Sequence, residues 1–122
     1  MTDLPPFELG YPQTELRRKL VAAVLAGEKT ATAGLAEPGM PAPAPGTRYA
    51  LHGYDDEPVA IVEVTEARIV PASEIDLRFA QDEGEGFESV EDWHAAHERF
   101  FEQEIHPDTQ IEATRFRVVE QL

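Results

Sequence analysis

The order of patterns along the chain predicts an α+β domain: one amphipathic helix, a short strand, a β-hairpin, two further helices and a closing strand. Three observations carry this reading. Apolar residues recur at helical spacing at Leu16, Leu20 and Val24; a Val- and Ile-rich run over 58–70 follows a turn; and residues 111–122 have the apolar pattern of a strand. Strands joined by a hairpin, with helices segregated from them, suit an α+β layer structure or a small closed barrel with helical insertions.

The first 13 residues are proline-rich and expected to be irregular, residues 1–6 above all. The first helix is expected over 14–26. Thr14 is its N-cap, Val21 and Leu25 widen the apolar stripe, and Arg17, Arg18 and Lys19 fall on the solvated side. Gly27 follows the last apolar residue as a stop signal. Residues 30–35 read as a strand or extended segment. Residues 36–46 hold four prolines and two glycines and are expected to be a surface loop.

Residues 47–52 alternate and end at the turn Gly53-Tyr54-Asp55-Asp56, so they pair with 58–70 as a hairpin. A short helix is expected over 73–81, with Ile75, Leu77 and Phe79 partly buried, and Gly84-Glu85-Gly86 breaks it. Ser89-Val90-Glu91-Asp92 resembles a capping box and opens a helix carrying Val90, Trp93, His97, Phe100 and Phe101 on one side. The 122 residues are read as a single domain, 1–122, with no internal repeat.

Composition narrows function. With 42% hydrophobic and 28% charged residues the chain is globular in composition. It has no cysteine, which removes disulfides, thiolate metal sites and a cysteine nucleophile. No basic, apolar leader and no membrane-length run is present, so a cytoplasmic location and no membrane partner are expected. The net charge of -14 repels phosphate backbones, so DNA is not expected as a partner and RNA is expected to bind only weakly.

Four constellations could carry chemistry. Gly27-Glu28-Lys29-Thr30-Ala31-Thr32 lies at a helix-to-strand junction, where a lysine of lowered pKa and a threonine hydroxyl can meet as base and nucleophile. On spacing alone, a solvated Lys29 beside a helix C-terminus is the simpler account. Glu63 stands in an apolar strand; it points inward to pair with Lys29 or Arg115, or it reaches solvent. His94 and His97 share a helix face, but His97 falls on the apolar side, so a core or surface role outweighs a metal site. Arg115 is suited to a phosphate or carboxylate, or to a surface ion pair.

The segment 27–32 resembles the Gly-x-Lys-x-x-Thr signature of ASCH domains. The segments 61–65 and 79–86, Trp93 with Phe100, and 115–119 are similar to that family in the same order, from about Phe7 to Leu122. The resemblance implies a PUA-like β-barrel of about five to six mostly antiparallel strands with flanking helices. It also implies an activity. One bacterial member is an amidohydrolase that deacetylates N4-acetylcytidine, and another is reported as a metal-dependent ribonuclease. Carried over, the proposed catalytic set falls on Lys29, Thr32 and Glu83, with Asp82 and Glu85 as neighbouring alternatives to Glu83. Gly27, Thr30, Ala31, Glu63 and Arg115 are the expected substrate-binding residues. The implied ligand is a small nucleoside-like molecule, with no cofactor and no metal. A non-catalytic RNA- or nucleotide-binding module and a ribonuclease are the alternatives.

Overall fold

The computed structural model describes residues 4–7, 9 and 15–122. The elements run α1 (Glu15–Leu25), β1 (Ala31–Leu35), β2 (Arg48–His52), β3 (Pro58–Pro71), a 3-10 turn (Ala72–Glu74), α2 (Leu77–Asp82), α3 (Val90–Phe101) and β4 (Gln110–Gln121). The Thr14 cap lies outside the described residues. No helix among those described is long and apolar enough to cross a membrane.

The strands form one antiparallel sheet in the order β1-β4-β3-β2. Four strands are present among the described residues, where five or six were expected. The difference lies in the length of β3 and β4, with 14 and 12 residues. Register shifts at Ile61/Val62 and Val64/Glu66 bend this long pair, and such bulges increase local twist. The sheet therefore curls into a half-barrel. Near the N-terminus the amide of Phe7 donates to the carbonyl of Ala50, and the amide of Ala50 donates to the carbonyl of Pro5, which covers part of the outer edge of β2.

Two apolar clusters flank β4. Ile111 and Ala113 face Ala31, Val70, Phe79 and Trp93, which brings α2 and α3 onto one side. Phe116 belongs to the other cluster, with Leu20, Val21 and Val24 of α1 and Leu51 and Val62 of the hairpin. The period-2 alternation of β4 assigns its odd and even positions to these two faces.

Three local expectations are corrected. The helix expected over 73–81 is a 3-10 turn followed by α2, because the Asp76 side chain accepts a hydrogen bond from the Phe79 amide at 2.8 Å and starts a new helix there. Leu77, in the first turn of that helix, is exposed. Arg17 is buried rather than solvated, and its guanidinium pairs with Asp56 in the hairpin turn.

Candidate functional site

α1 ends at Gly27, whose φ of +79° is the left-handed conformation of a C-capping glycine. The amides of Glu28 and Lys29 both donate to the carbonyl of Ala23, at 2.9 and 3.1 Å. This cap reverses the chain and leaves Lys29 only 2% exposed. Facing it is the end of α2. Gly84 has a φ of +72°, and a Cβ there would fall 2.6 Å from the carbonyl oxygen of Glu28. Glycine at 84 is what allows the two turns, and so Lys29 and Glu83, to approach.

The Lys29 ammonium donates to the carbonyl of Ala31 at 2.9 Å and to that of Glu83 at 3.2 Å. It stands 3.8 Å from a carboxyl oxygen of Glu83 and 3.8 Å from one of Glu85. Glu83 is 1% exposed. One of its oxygens accepts the indole N–H of Trp93, and the other lies 3.4 Å from Nε2 of His97. His97 is itself buried; its ring stacks on Trp93 with centroids 4.3 Å apart, and its Nδ1 is 2.8 Å from the Trp93 carbonyl.

The electrostatics of this cluster oppose one another. Burial lowers the Lys29 pKa below its ordinary 10.5, against the upward pull of Glu83 and Glu85. Burial also raises the Glu85 pKa. Burial works to lower the His97 pKa, but its contacts to Glu83, the Trp93 carbonyl and Glu85 outweigh that and raise it above 6.5. Glu83, Glu85 and His97 each bring one ligand-type atom within 4.8 Å of the others. The Lys29 ammonium is the cation beside the two carboxylates of this group.

These side chains meet a cavity of about 370 Å³ lined by Lys29, Thr32, Glu83, Glu85, His97 and Arg99, among others, with Leu16 and Leu20 of α1 on its apolar wall. Thr32, half-buried on β1, is at its lip; among the described residues its hydroxyl makes no hydrogen bond, to Lys29 or to any other group. The cavity thus gathers a hydroxyl, a buried amine and a carboxyl–imidazole pair, the group types needed for acyl transfer.

The other expected binding residues are placed elsewhere. Glu63 turns away from Lys29 and accepts hydrogen bonds from Arg48 at 3.0 Å and Arg117 at 2.9 Å, its partners on the two neighbouring strands. Those arginines hold its carboxyl below the usual range. Arg115 pairs with Asp82 at 2.7 Å and lies over the Phe79 ring, tying the end of α2 to β4. Gly27, Thr30 and Ala31 build the turn and line no described cavity, although the Ala31 carbonyl anchors Lys29. The backbone amides after Gly27 are not free to hold an oxyanion. They are already engaged: those of Glu28 and Lys29 with Ala23, and that of Thr30 with Asp82.

His97 and Arg99 are polar cavity residues that the sequence did not assign to the site, and Glu85, named there only as an alternative to Glu83, lines the cavity beside it. Periodicity had shown that His97 faces inward with Trp93, and only tertiary structure shows that Glu83 meets it there. Arg99 has no carboxylate partner among the described residues.

The fold has close counterparts. A protein from Enterococcus faecalis V583 is similar with a TM-score of 0.83 at 24% identity, over 99% of this chain and 79% of that one. The ASCH domain from Lactobacillus crispatus JV V101 is similar with a TM-score of 0.81 at 24% identity, over 96% of this chain and 80% of that one. An ASCH protein from Zymomonas mobilis reaches a TM-score of 0.56 at 14% identity, over 81% of this chain and 61% of that one. No curated protein matches the chain. The ASCH domain family model matches residues 9–120, and with that match spanning most of a PUA-like α+β half-barrel, the chain belongs to the ASCH domain family.

Proposed function

We propose that the chain is a small-molecule amidohydrolase acting on an N-acylated nucleoside or a similar amide, N4-acetylcytidine being the first candidate. The observation that carries this reading is the buried Lys29 amine, held against Glu83 and Glu85 at the wall of a cavity that Thr32 also lines. A lysine whose burial lowers its pKa holds a larger neutral fraction than a solvated one, and the neutral amine is the form that can take a proton.

In this mechanism the Thr32 oxygen attacks the acyl carbon while its proton passes to the Lys29 nitrogen. The C–N bond then breaks, and the same proton returns from Lys29 to the departing amine. Water, deprotonated by the neutral lysine, hydrolyses the acyl–threonine ester and restores the hydroxyl. Glu83 orients the lysine. Arg99 on the rim is the cation left to receive negative charge from the acyl oxygen.

One observation favours a second reading, a non-catalytic nucleotide-binding module: Lys29 donates to two backbone carbonyls and makes no hydrogen bond to Thr32. A ribonuclease is disfavoured by the charge of -14, and affinity for long RNA is expected to be weak and salt-sensitive. The test is a panel of N-acylated nucleosides assayed with wild type and Thr32→Val. Release of the free base amine by wild type, and its loss in Thr32→Val, supports the hydrolase. Wild type that is inert across the panel but binds its members gives the module reading instead.

A further inference from the structure

A second cavity, of about 720 Å³, adjoins the first. Thr32, Ala33 and Phe100 line both cavities. The walls of the second are apolar and aromatic, with Phe7, Tyr49 and Phe101 joined by Met40 and prolines of the 36–46 loop. Three of its polar groups, Thr32, Glu112 and Thr114, come from the paired strands β1 and β4. Thr114 lies directly across from Thr32, and Glu112 directly across from Gly34. Gly34 has no side chain to cover Glu112, and the space above it is open.

Two of these polar groups lack partners. Thr114 is 5% exposed, and among the described residues its hydroxyl makes no hydrogen bond. Glu112 is half-buried and makes neither a hydrogen bond nor an ion pair with any described residue. Both line the cavity, so a ligand there would meet them with no competing partner among the described residues. Glu37 adds a second carboxylate to the same lining, and no Lys, Arg or His contributes to it. Burial, and then Glu37, raise the Glu112 pKa; burial, and then Glu112, raise that of Tyr49. Both shifts are what a pocket short of positive charge produces. Glu112 lines this mostly apolar cavity together with Thr114, two residues along the same strand.

We propose that this cavity binds a planar organic cation, an amidinium or guanidinium, with Glu112 as its counterion and the Thr114 hydroxyl as a further acceptor. A planar N–H fork matches a carboxylate in a way that a point charge does not. The rings of Phe7, Tyr49 and Phe101 offer faces on which such a cation can lie. The proposal stands whether or not the Lys29 cavity hydrolyses amides.

Benzamidine is the probe and benzamide its neutral counterpart, titrated into the isotopically labelled full chain at low salt and followed by amide NMR shifts. Benzamidine should bind in about the millimolar range expected of a small fragment. Its shifts should centre on Gly34, Glu112 and Thr114, and benzamide should bind about ten-fold more weakly. Glu112→Gln should weaken benzamidine by about ten-fold and leave benzamide unchanged. Glu85→Gln, which removes a carboxylate from the other cavity, should leave benzamidine binding as it is. Equal affinities for the two probes, undiminished binding to a folded Glu112→Gln, or shifts confined to Lys29, Glu85 and His97 would each overturn the proposal.

Discussion

The Cβ that Gly84 lacks would stand 2.9 Å from the Cα of Lys29 and 2.6 Å from the carbonyl oxygen of Glu28. Backbone atoms cannot swing aside as a flexible side chain can. Any substitution at 84 must therefore part the α1–β1 turn from the end of α2, and it must also hold an L-residue at φ +72°.

Gly84→Ala is accordingly expected to destabilise the fold by about 2–4 kcal/mol, from left-handed strain plus the clash. Gly86, with a similar φ of +81° but open space around its missing Cβ, isolates the first component. Gly86→Ala should cost only about 1 kcal/mol. Urea unfolding of the two variants checks this, and equal losses would show that close packing at 84 contributes nothing.

His97 supplies a pH signature. Its folded pKa is raised above 6.5, so the protonated form is favoured by folding. The stability it contributes is fully present below 6.5 and is lost as pH rises through the folded value. Trp93 is the only tryptophan and stacks on that ring, so its emission should titrate with a midpoint above 6.5. His97→Gln should abolish the titration, and the stability difference between wild type and His97→Gln should shrink as pH rises through the same window. A Trp93 emission that is flat from pH 5 to 9 contradicts this coupling.

Glu112 gives the opposite sign. Its folded pKa is raised above 4.5, so the charged carboxylate opposes folding once pH passes 4.5. Glu112→Gln should stabilise the chain at pH 7 by a few tenths of a kcal/mol, because the group is partly solvated and screened. The gain should vanish near pH 4. Thermal melts at the two pH values measure it. Stabilisation by a substitution that also weakens cation binding is the expected mark of a site kept for function.

How much of this was legible without coordinates depends on whether an interaction is local. Gly27 as a helix stop, Lys29 and Thr32 as neighbours at a junction, and the Ser89 cap are set by residues within a few positions, and the chain order displays them. The Ser89 hydroxyl does accept the Asp92 amide, at 3.0 Å. The partners of Glu63 could not be read this way, since Arg48 and Arg117 reach it through strand register, 15 and 54 residues away. The same holds at 82–85. A sequence of alternating acids does not say that Asp82 turns to Arg115 while Glu83 turns to Lys29, Trp93 and His97. The strand number was over-read because two long, bulged strands do the curling that more, shorter strands would otherwise do.

The decisive variants for catalysis are at Thr32 and not at Lys29. A Lys29 solvated beside the helix C-terminus, the simpler account on spacing alone, would let Lys29→Ala spare the fold. It is instead 2% exposed and stands between Glu83 and Glu85. Removing one partner from a buried ionic cluster costs about 3–5 kcal/mol, so Lys29→Ala is expected to lose stability along with any activity. Thr32 is half-buried at the cavity lip and bonded to nothing described, so Thr32→Val keeps its shape and should leave the melting temperature within a few degrees of wild type. If Thr32 is the nucleophile, that variant should lose amide hydrolysis by about a thousand-fold or more, while Thr32→Ser retains a measurable part. Single-turnover assays with an N-acylated nucleoside that wild type cleaves, run beside thermal melts, separate the two effects. A stably folded Thr32→Val that turns over at the wild-type rate removes the covalent mechanism and leaves Lys29 acting on water directly.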